Sequence, residues 1–206
     1  LPPEALLIAV VGQVTAAKQM PLALRAFRRL LDFAPQARLL LVGEVLPEVD
    51  LEATLSALGL GERVIRLAYV ESFAAFNDWA ATADVVLNLR YPTLGETSGA
   101  ALRAMAAGRP LVVFDHGWYA ELPDDAAVKV PPLDEDALLA ALRALAEAPA
   151  RRAVPAAQGP ARGGVSGTFG RTGRGAAAAD ADRSPARRRC LRRLCALPEA
   201  AGPLGP

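Results

Sequence analysis

Residues 90–125, RYPTLGETSGAALRAMAAGRPLVVFDHGWYAELPDD, decide how this chain is read. They give, in order, a strand end, a polar loop containing glycine, an alanine-rich helix stopped by Gly108, the apolar strand LVVF and a second polar loop. A helix that carries the chain from one apolar strand to the next makes those strands parallel. Both polar loops then leave the carboxyl edge of a single sheet, where open α/β sheets bind their ligands.

The same alternation extends in both directions. Residues 6–11 form a continuous apolar run, β-branched at its end and stopped by Gly12, as in a strand buried on both faces. Residues 38–42 (RLLLV, closed by Gly43), 64–70, 85–89 (VVLNL), 111–114 and the short run 127–130 read the same way. Between them Leu22, Ala26, Arg29 and Leu30 recur at helical spacing, framed by Pro21 and Pro35. Leu51, Leu55 and Leu58 follow with Gly59 as a C-cap. Further helices are expected through Phe73, Phe76 and Ala80, over 98–107 and over 134–148. The pattern predicts an α/β fold for residues 1–150: a Rossmann-like parallel sheet with helices on both faces. There is no repeat at a fixed period.

Composition narrows the function. Residues 151–206 hold eleven arginines against Asp180, Asp182 and Glu199, while residues 1–150 hold twelve bases against nineteen acids. The folded part is thus mildly acidic and offers no footprint for nucleic acid. Cys190 and Cys195 are the only cysteines, too few for a disulfide framework or a four-ligand zinc site. No apolar run approaches the roughly 18 residues that span a bilayer. The absence of an initiator Met before Leu1 suggests a fragment. With nine glycines, six prolines and only seven Val, Leu or Phe residues, 151–206 has too little apolar surface to offset its ordering entropy. The expectation is a disordered tail, or one read out of frame, with a short basic helix around 187–193 as the exception.

Three places carry candidate chemistry. In the loop 92–99, Thr97 and Ser98 suit a helix N-cap, and Gly95 and Gly99 let backbone approach a ligand. Free N–H groups at a helix start favour phosphate. Glu96 would repel a phosphate beside it, so it fits better facing sugar hydroxyls while the following N–H groups face phosphate. The same residues would also serve merely to cap the helix. The second place is residues 12–18 (GQVTAAK), which match neither a P-loop nor GxGxxG. Lys18, the only lysine before residue 129, stands at the ligand edge, to neutralise a diphosphate or simply to be solvated. The third place is the loop after residue 114. Its His116 has no Ser or Cys partner in context, so no triad follows. Asp115, Glu121, Asp124 and Asp125 read as a solvated acidic loop, and Trp118 and Tyr119 as pocket lining or loop anchors.

Taken in order, Gly12 with Lys18, LLLVGE (39–44), LGLGERVIRLAYV (58–70), ADVVLNLRYPTLGETSG (83–99), LRAMAAGRPLVV (102–113) and DHGWYAELPDD (115–125) resemble the nucleotide-sugar-binding C-terminal half of GT-B glycosyltransferases. The particular likeness is to the large retaining group called family 4, and within it to bacterial surface-polysaccharide transferases. It covers about residues 4–148. The resemblance implies transfer of a sugar from a UDP- or GDP-linked donor, as substrate, to a glycan or lipid-linked acceptor. It implies no metal or other cofactor, a missing N-terminal acceptor domain, and a cytoplasmic location with peripheral association at the inner membrane face. A donor half alone would bind donor weakly and not catalyse.

Carried onto this sequence, the resemblance makes Glu96 the catalytic-site residue that holds donor-sugar hydroxyls. Lys18 would contact the diphosphate and the N–H groups of Thr97, Ser98 and Gly99 would meet phosphate, with Gly12 and Gln13 also among the donor-binding residues, while Tyr69 and Val70 would flank the base. Two positions depart from the family pattern. Gln13 stands where an Arg is usual, and Arg103 stands where a second Glu is usual. Arg103 or Arg90 is therefore expected to supply the phosphate charge missing at Gln13. The rival reading is a non-catalytic Rossmann-like nucleotide-binding or interaction module.

Overall fold

The computed structural model describes residues 5–67, 70, 72–147 and 190. It contains one six-stranded sheet in the order β3-β2-β1-β4-β5-β6, with every paired neighbour parallel. The strands are β1 (Leu7–Val11), β2 (Arg38–Val42), β3 (Val64–Leu67), β4 (Val85–Leu87), β5 (Leu111–Phe114) and β6 (Val128–Val130). The helices are α1 (Met20–Leu30), α2 (Leu51–Leu58), α3 (Phe73–Thr82), α4 (Gly99–Ala106) and α5 (Glu135–Glu147). This is the Rossmann-like α/β fold that the alternation predicts.

Side chains alternate across a strand, and β1 shows the consequence. Ile8 and Val10 join the core under α1, α2 and α5, while Leu7, Ala9 and Val11 join the core under α3 and α4. All five residues of β1 are buried, which explains why the sequence reads as continuously apolar rather than alternating. Seven residues of α1 are buried, Phe27 and Leu30 completely. Burying a side chain of that size stabilises by about 1.5–3 kcal/mol. Arg29, placed by spacing with the apolar set, instead lies outside that face and pairs with Glu135 and Asp136 of α5. The spacing was compatible with either position; its charge decides.

At the amino edge of the sheet, buried Asp84 fixes how β1 meets β4. Its Oδ2 accepts from Leu7 N at 2.8 Å, and its own N–H donates to Leu7 O at 2.7 Å. β3 is described over Val64–Leu67, and residues 68 and 69 of the expected strand lie outside the described residues. β4 is shorter than its apolar run suggests, ending at Leu87 rather than residue 89. Beyond Asn88 the chain turns from β5 toward the loop after β1, where Tyr91 N donates to Ala17 O at 2.8 Å. Leu89 stays buried without extending the strand, so hydrophobicity alone overshoots its end. α2 ends as expected on Gly59, at φ +63°. Its start on Asp50, whose side chain accepts from Ala53 N, was an unread cap.

Of residues 148–206, Cys190 alone is described. It is buried with the α3/α4 side of the core, and its thiol is free. The expectations of disorder, of a basic helix at 187–193 and for Cys195 lie outside the described residues. Among the described residues, no helix is long and apolar enough to cross a membrane.

Candidate functional site

β1 and β4 are neighbours in the centre of the sheet. The chain leaving β1 runs to α1 on one face, and the chain leaving β4 runs to α4 on the other. A crevice between the two departing loops is the expected ligand position in such a sheet. Here the loops are tied together. Besides the bond from Tyr91 N to Ala17 O, Gln19 Nε2 donates to Tyr91 O at 2.7 Å. Gln19 itself sits at φ +51°, a left-handed conformation that costs a non-glycine residue of the order of 1 kcal/mol.

The loop after β2 closes on the loop after β1 from the other side. Gly12 N donates to Val42 O at 2.8 Å, and Val14 makes an isolated parallel bridge with Val45. A Cβ on Gly43, at φ +136°, would stand 2.7 Å from both C and O of Gly12. Only glycine at 43 permits that approach. Gly12, at φ +89°, faces the Lys18 ammonium, 3.3 Å from where its own Cβ would be.

Lys18 ends a 3-10 turn over residues 16–18, and its Nζ donates to Val11 O at 2.6 Å. It is therefore not the solvated lysine that a surface loop would give. Burial, with the Arg90 guanidinium as the second cause, lowers its pKa from 10.5 to about 8. A cation that loses solvent without gaining a carboxylate gains from an incoming anion.

Arg90, partly buried at the far end of the β4 segment, pairs with Glu96: NH1 lies 2.7 Å from Oε1. The other carboxylate oxygen, Oε2, accepts from Thr93 Oγ1 and from Leu94 N, both at 2.8 Å. Glu96 titrates below the usual carboxylate range because of its own backbone N–H, the Thr93 hydroxyl, the Leu94 N–H and the Arg90 charge. The carboxylate thus ties its own loop to Arg90 through both of its oxygens. Gly95 turns that loop at φ +89°, and Leu94 at its tip is fully exposed.

Ser98 caps α4. Its Oγ accepts from Ala101 N at 3.3 Å and from Asn88 Nδ2 at 2.7 Å. Asn88 also donates to Tyr119 OH at 3.3 Å, so one buried amide joins the end of β4, the start of α4 and the turn after β5. That turn leans on the Glu96 loop as well. A Cβ on Gly117, at φ +57°, would lie 2.5 Å from Thr93 Cγ2, and the rings of Tyr91 and His116 stand 5.0 Å apart.

The structure therefore gathers Gly12, Lys18, Arg90, Glu96, Ser98 and Gly99 around the two central loops. Ser98 is buried by its capping role, and Thr97 is exposed beside it. Gln13 is not brought in: it is exposed and donates to Glu44 Oε2 at 3.3 Å. Arg103 projects along α4 instead, with its guanidinium carbon 5.5 Å from the Phe76 ring centroid, and NH1 3.5 Å from where a Gly99 side chain would begin. Of the two arginines expected to replace the charge missing at Gln13, Arg90 is the one beside Lys18. Val70 packs partly buried against the α3/α4 core, and Tyr69 lies outside the described residues. Asn88, Thr93, Tyr91 and Gln19 hold the site but were not singled out from sequence. The polar Asn inside VVLNL was the only available signal for any of them.

The fold and these loops define a Rossmann-like domain with Lys18 and the Arg90–Glu96 pair at its topological switch point. The chain belongs to the glycosyl transferases group 1 family, whose model matches residues 5–148. Its fold is that of the C-terminal domain of GT-B enzymes. The C-terminal domain of the group 1 glycosyl transferase LpcC from Francisella tularensis superposes with a TM-score of 0.62 at 20% identity, covering 72% of this chain and 79% of that one. Sucrose-phosphate synthase from Thermosynechococcus elongatus gives 0.61 at 25% identity, covering 75% of this chain and 39% of that one. HepE from Anabaena, solved in complex with UDP and glucose, gives 0.65 at 17% identity, covering 94% and 49%. This chain thus spans about two fifths to half of the latter two proteins. No curated protein matches it.

Proposed function

We propose that this chain is the donor-binding half of a retaining glycosyltransferase. It holds a UDP- or GDP-linked sugar, which a further domain presents to a glycan or lipid-linked acceptor. The observation that carries the reading is that the bonds from Tyr91 N to Ala17 O and from Gln19 Nε2 to Tyr91 O tie the loop of Lys18 to the loop that Arg90 begins, bringing both cations to the switch point. Two neighbouring cations, one already short of solvent, suit a diphosphate better than any neutral ligand. That the Anabaena HepE structures hold UDP and UDP-glucose on a similar fold supports a nucleotide sugar as that diphosphate.

In this mechanism the chain's contribution is electrostatic. As the bond from sugar to phosphate breaks, negative charge grows on the departing diphosphate. Lys18, Arg90 and the first N–H groups of α4 stabilise it, doing what a metal ion does in other transferases. Glu96 accepts hydrogen bonds from donor-sugar hydroxyls and so fixes the anomeric carbon beneath the acceptor. Closure by the second domain excludes water. The surface-polysaccharide assignment, and with it work at the inner membrane face, rests on the wording of residues 90–99 and 115–125.

A non-catalytic donor-binding module is the second reading, favoured by Arg103 in the place of the second glutamate. Saturation-transfer NMR of the full chain against UDP, GDP and NAD tests both. Signals from UDP or GDP but not NAD are expected. Silence from both diphosphates would sink the donor reading.

A further inference from the structure

The strongest unexplained feature is an acid inside an anion site. Glu96 holds Arg90 at 2.7 Å, and both of its carboxylate oxygens are occupied, Oε1 by Arg90 and Oε2 by Thr93 and Leu94. As folded, each oxygen of the group expected to grip a sugar already has a partner, and the cation expected to grip a phosphate already has an anion.

We propose that Arg90 is a positioning residue that exchanges partners: Glu96 occupies its guanidinium in the free chain, and a nucleoside diphosphate takes it over, releasing Glu96 Oε1 for the donor sugar. This rests on the donor reading above and deepens it. A diphosphate carries more charge than one carboxylate and offers several acceptor oxygens to a planar guanidinium, so it wins the exchange. The pair is suited to opening because both members are partly solvated, with side-chain exposures of 31% and 41%. Such a pair is held only weakly. The loop has room for the change. Leu94 at its tip is fully exposed, and no atom lies within 4 Å of where a Gly95 side chain would begin. Thr93 and Leu94 keep Oε2 in place while Oε1 changes partner, so the carboxylate pivots rather than being lost from the site. Binding of the nucleotide would then arm the sugar contact, and a free sugar alone would meet a carboxylate still shared with Arg90.

The test is a double-mutant cycle on the full 206-residue chain, with UDP affinity measured by calorimetry for wild type, Glu96→Gln, Arg90→Gln and the double variant. Glutamine keeps the size of Glu96 but no longer holds the guanidinium as an ion pair. Glu96→Gln should therefore bind UDP about two- to fivefold more tightly, the range of a part-exposed ion pair. The same change made in Arg90→Gln should have no effect. A second readout stands if Arg90→Gln binds too weakly to measure: the Glu96 carboxyl carbon, followed by 13C NMR, should titrate at higher pH once wild type is saturated with UDP. Tightening that persists without Arg90, no tightening at all, or an unmoved Glu96 titration would overturn the exchange while leaving the donor site standing. Failure of wild type to bind either UDP or GDP would overturn the donor reading and the exchange together.

Discussion

Asn88 Nδ2 lies 2.7 Å from Ser98 Oγ, and that bond joins the end of a central strand to the cap of the helix that starts the candidate site. The same amide reaches Tyr119 OH, so three segments that converge on the crevice depend on one side chain. Asn88→Ala would leave two buried hydroxyls short of a donor, at a cost of about 1–3 kcal/mol. Urea denaturation should show a lower midpoint with an unchanged slope. A midpoint within error of wild type would mean that water replaces the amide.

Gly43 tests the packing of the loops themselves. Its absent Cβ would fall 2.7 Å from the backbone of Gly12, and backbone cannot move aside as a side-chain tip can. Gly43→Ala should therefore destabilise the chain and weaken UDP binding together, because Gly12 is displaced. Gly59→Ala is the matched control, with a positive φ of +63° but nothing within 4 Å. It should cost about 1–2 kcal/mol, the general penalty of the left-handed conformation, and leave UDP binding alone.

Lys18 gives a pH dependence with a defined sign. Its folded pKa of about 8 lies below the ordinary 10.5, so between those values the unfolded chain binds more protons than the folded one. Its contribution to stability is poorest below pH 8 and improves as pH rises toward 10.5. UDP affinity runs the other way, falling above pH 8 as the ammonium is lost. Lys18→Met should weaken UDP binding at neutral pH and flatten this part of both profiles. Parallel stability and affinity curves that match those of wild type would exclude the lysine from the site.

Gly117 reaches Glu96 through Thr93. A side chain at 117 would start 2.5 Å from Thr93 Cγ2, and the Thr93 hydroxyl donates to Glu96. Gly117→Val should misplace Glu96, and with it the pairing to Arg90, but not Lys18. UDP binding should survive, while any advantage of UDP-glucose over UDP disappears. Equal loss of both ligands would show that the turn supports the whole crevice instead.

Strand and helix identity was legible because burial is written along the chain. β1, β2 and β5 are apolar at nearly every position and stop at a glycine or a charged residue, so their reading matches the structure closely. Ends were less legible where apolar residues outlast the ladder, as at Leu89, which packs without pairing. The site was legible as a set of loops but not as a set of partners. Nothing local in GQVTAAK says that Lys18 folds back onto Val11, and nothing in RYPTLGETSG says that Arg90 and Glu96 will meet. Each of those contacts is set by a loop folding back on itself, and the sheet order then brings the two loops together, with Gln19 and Tyr91 bonded across 72 positions; no periodicity carries that information.

The bond between Asp84 and Leu7 sits at the opposite edge of the sheet from all of this chemistry. A slip of β4 by one residue against β1 would strip both of its hydrogen bonds and turn a buried carboxylate against apolar neighbours. The offset between the two central strands is therefore set from the far side. The alignment of the two central strands is thus held at one edge of the sheet, and the loops that converge at the other edge inherit it rather than having to create it.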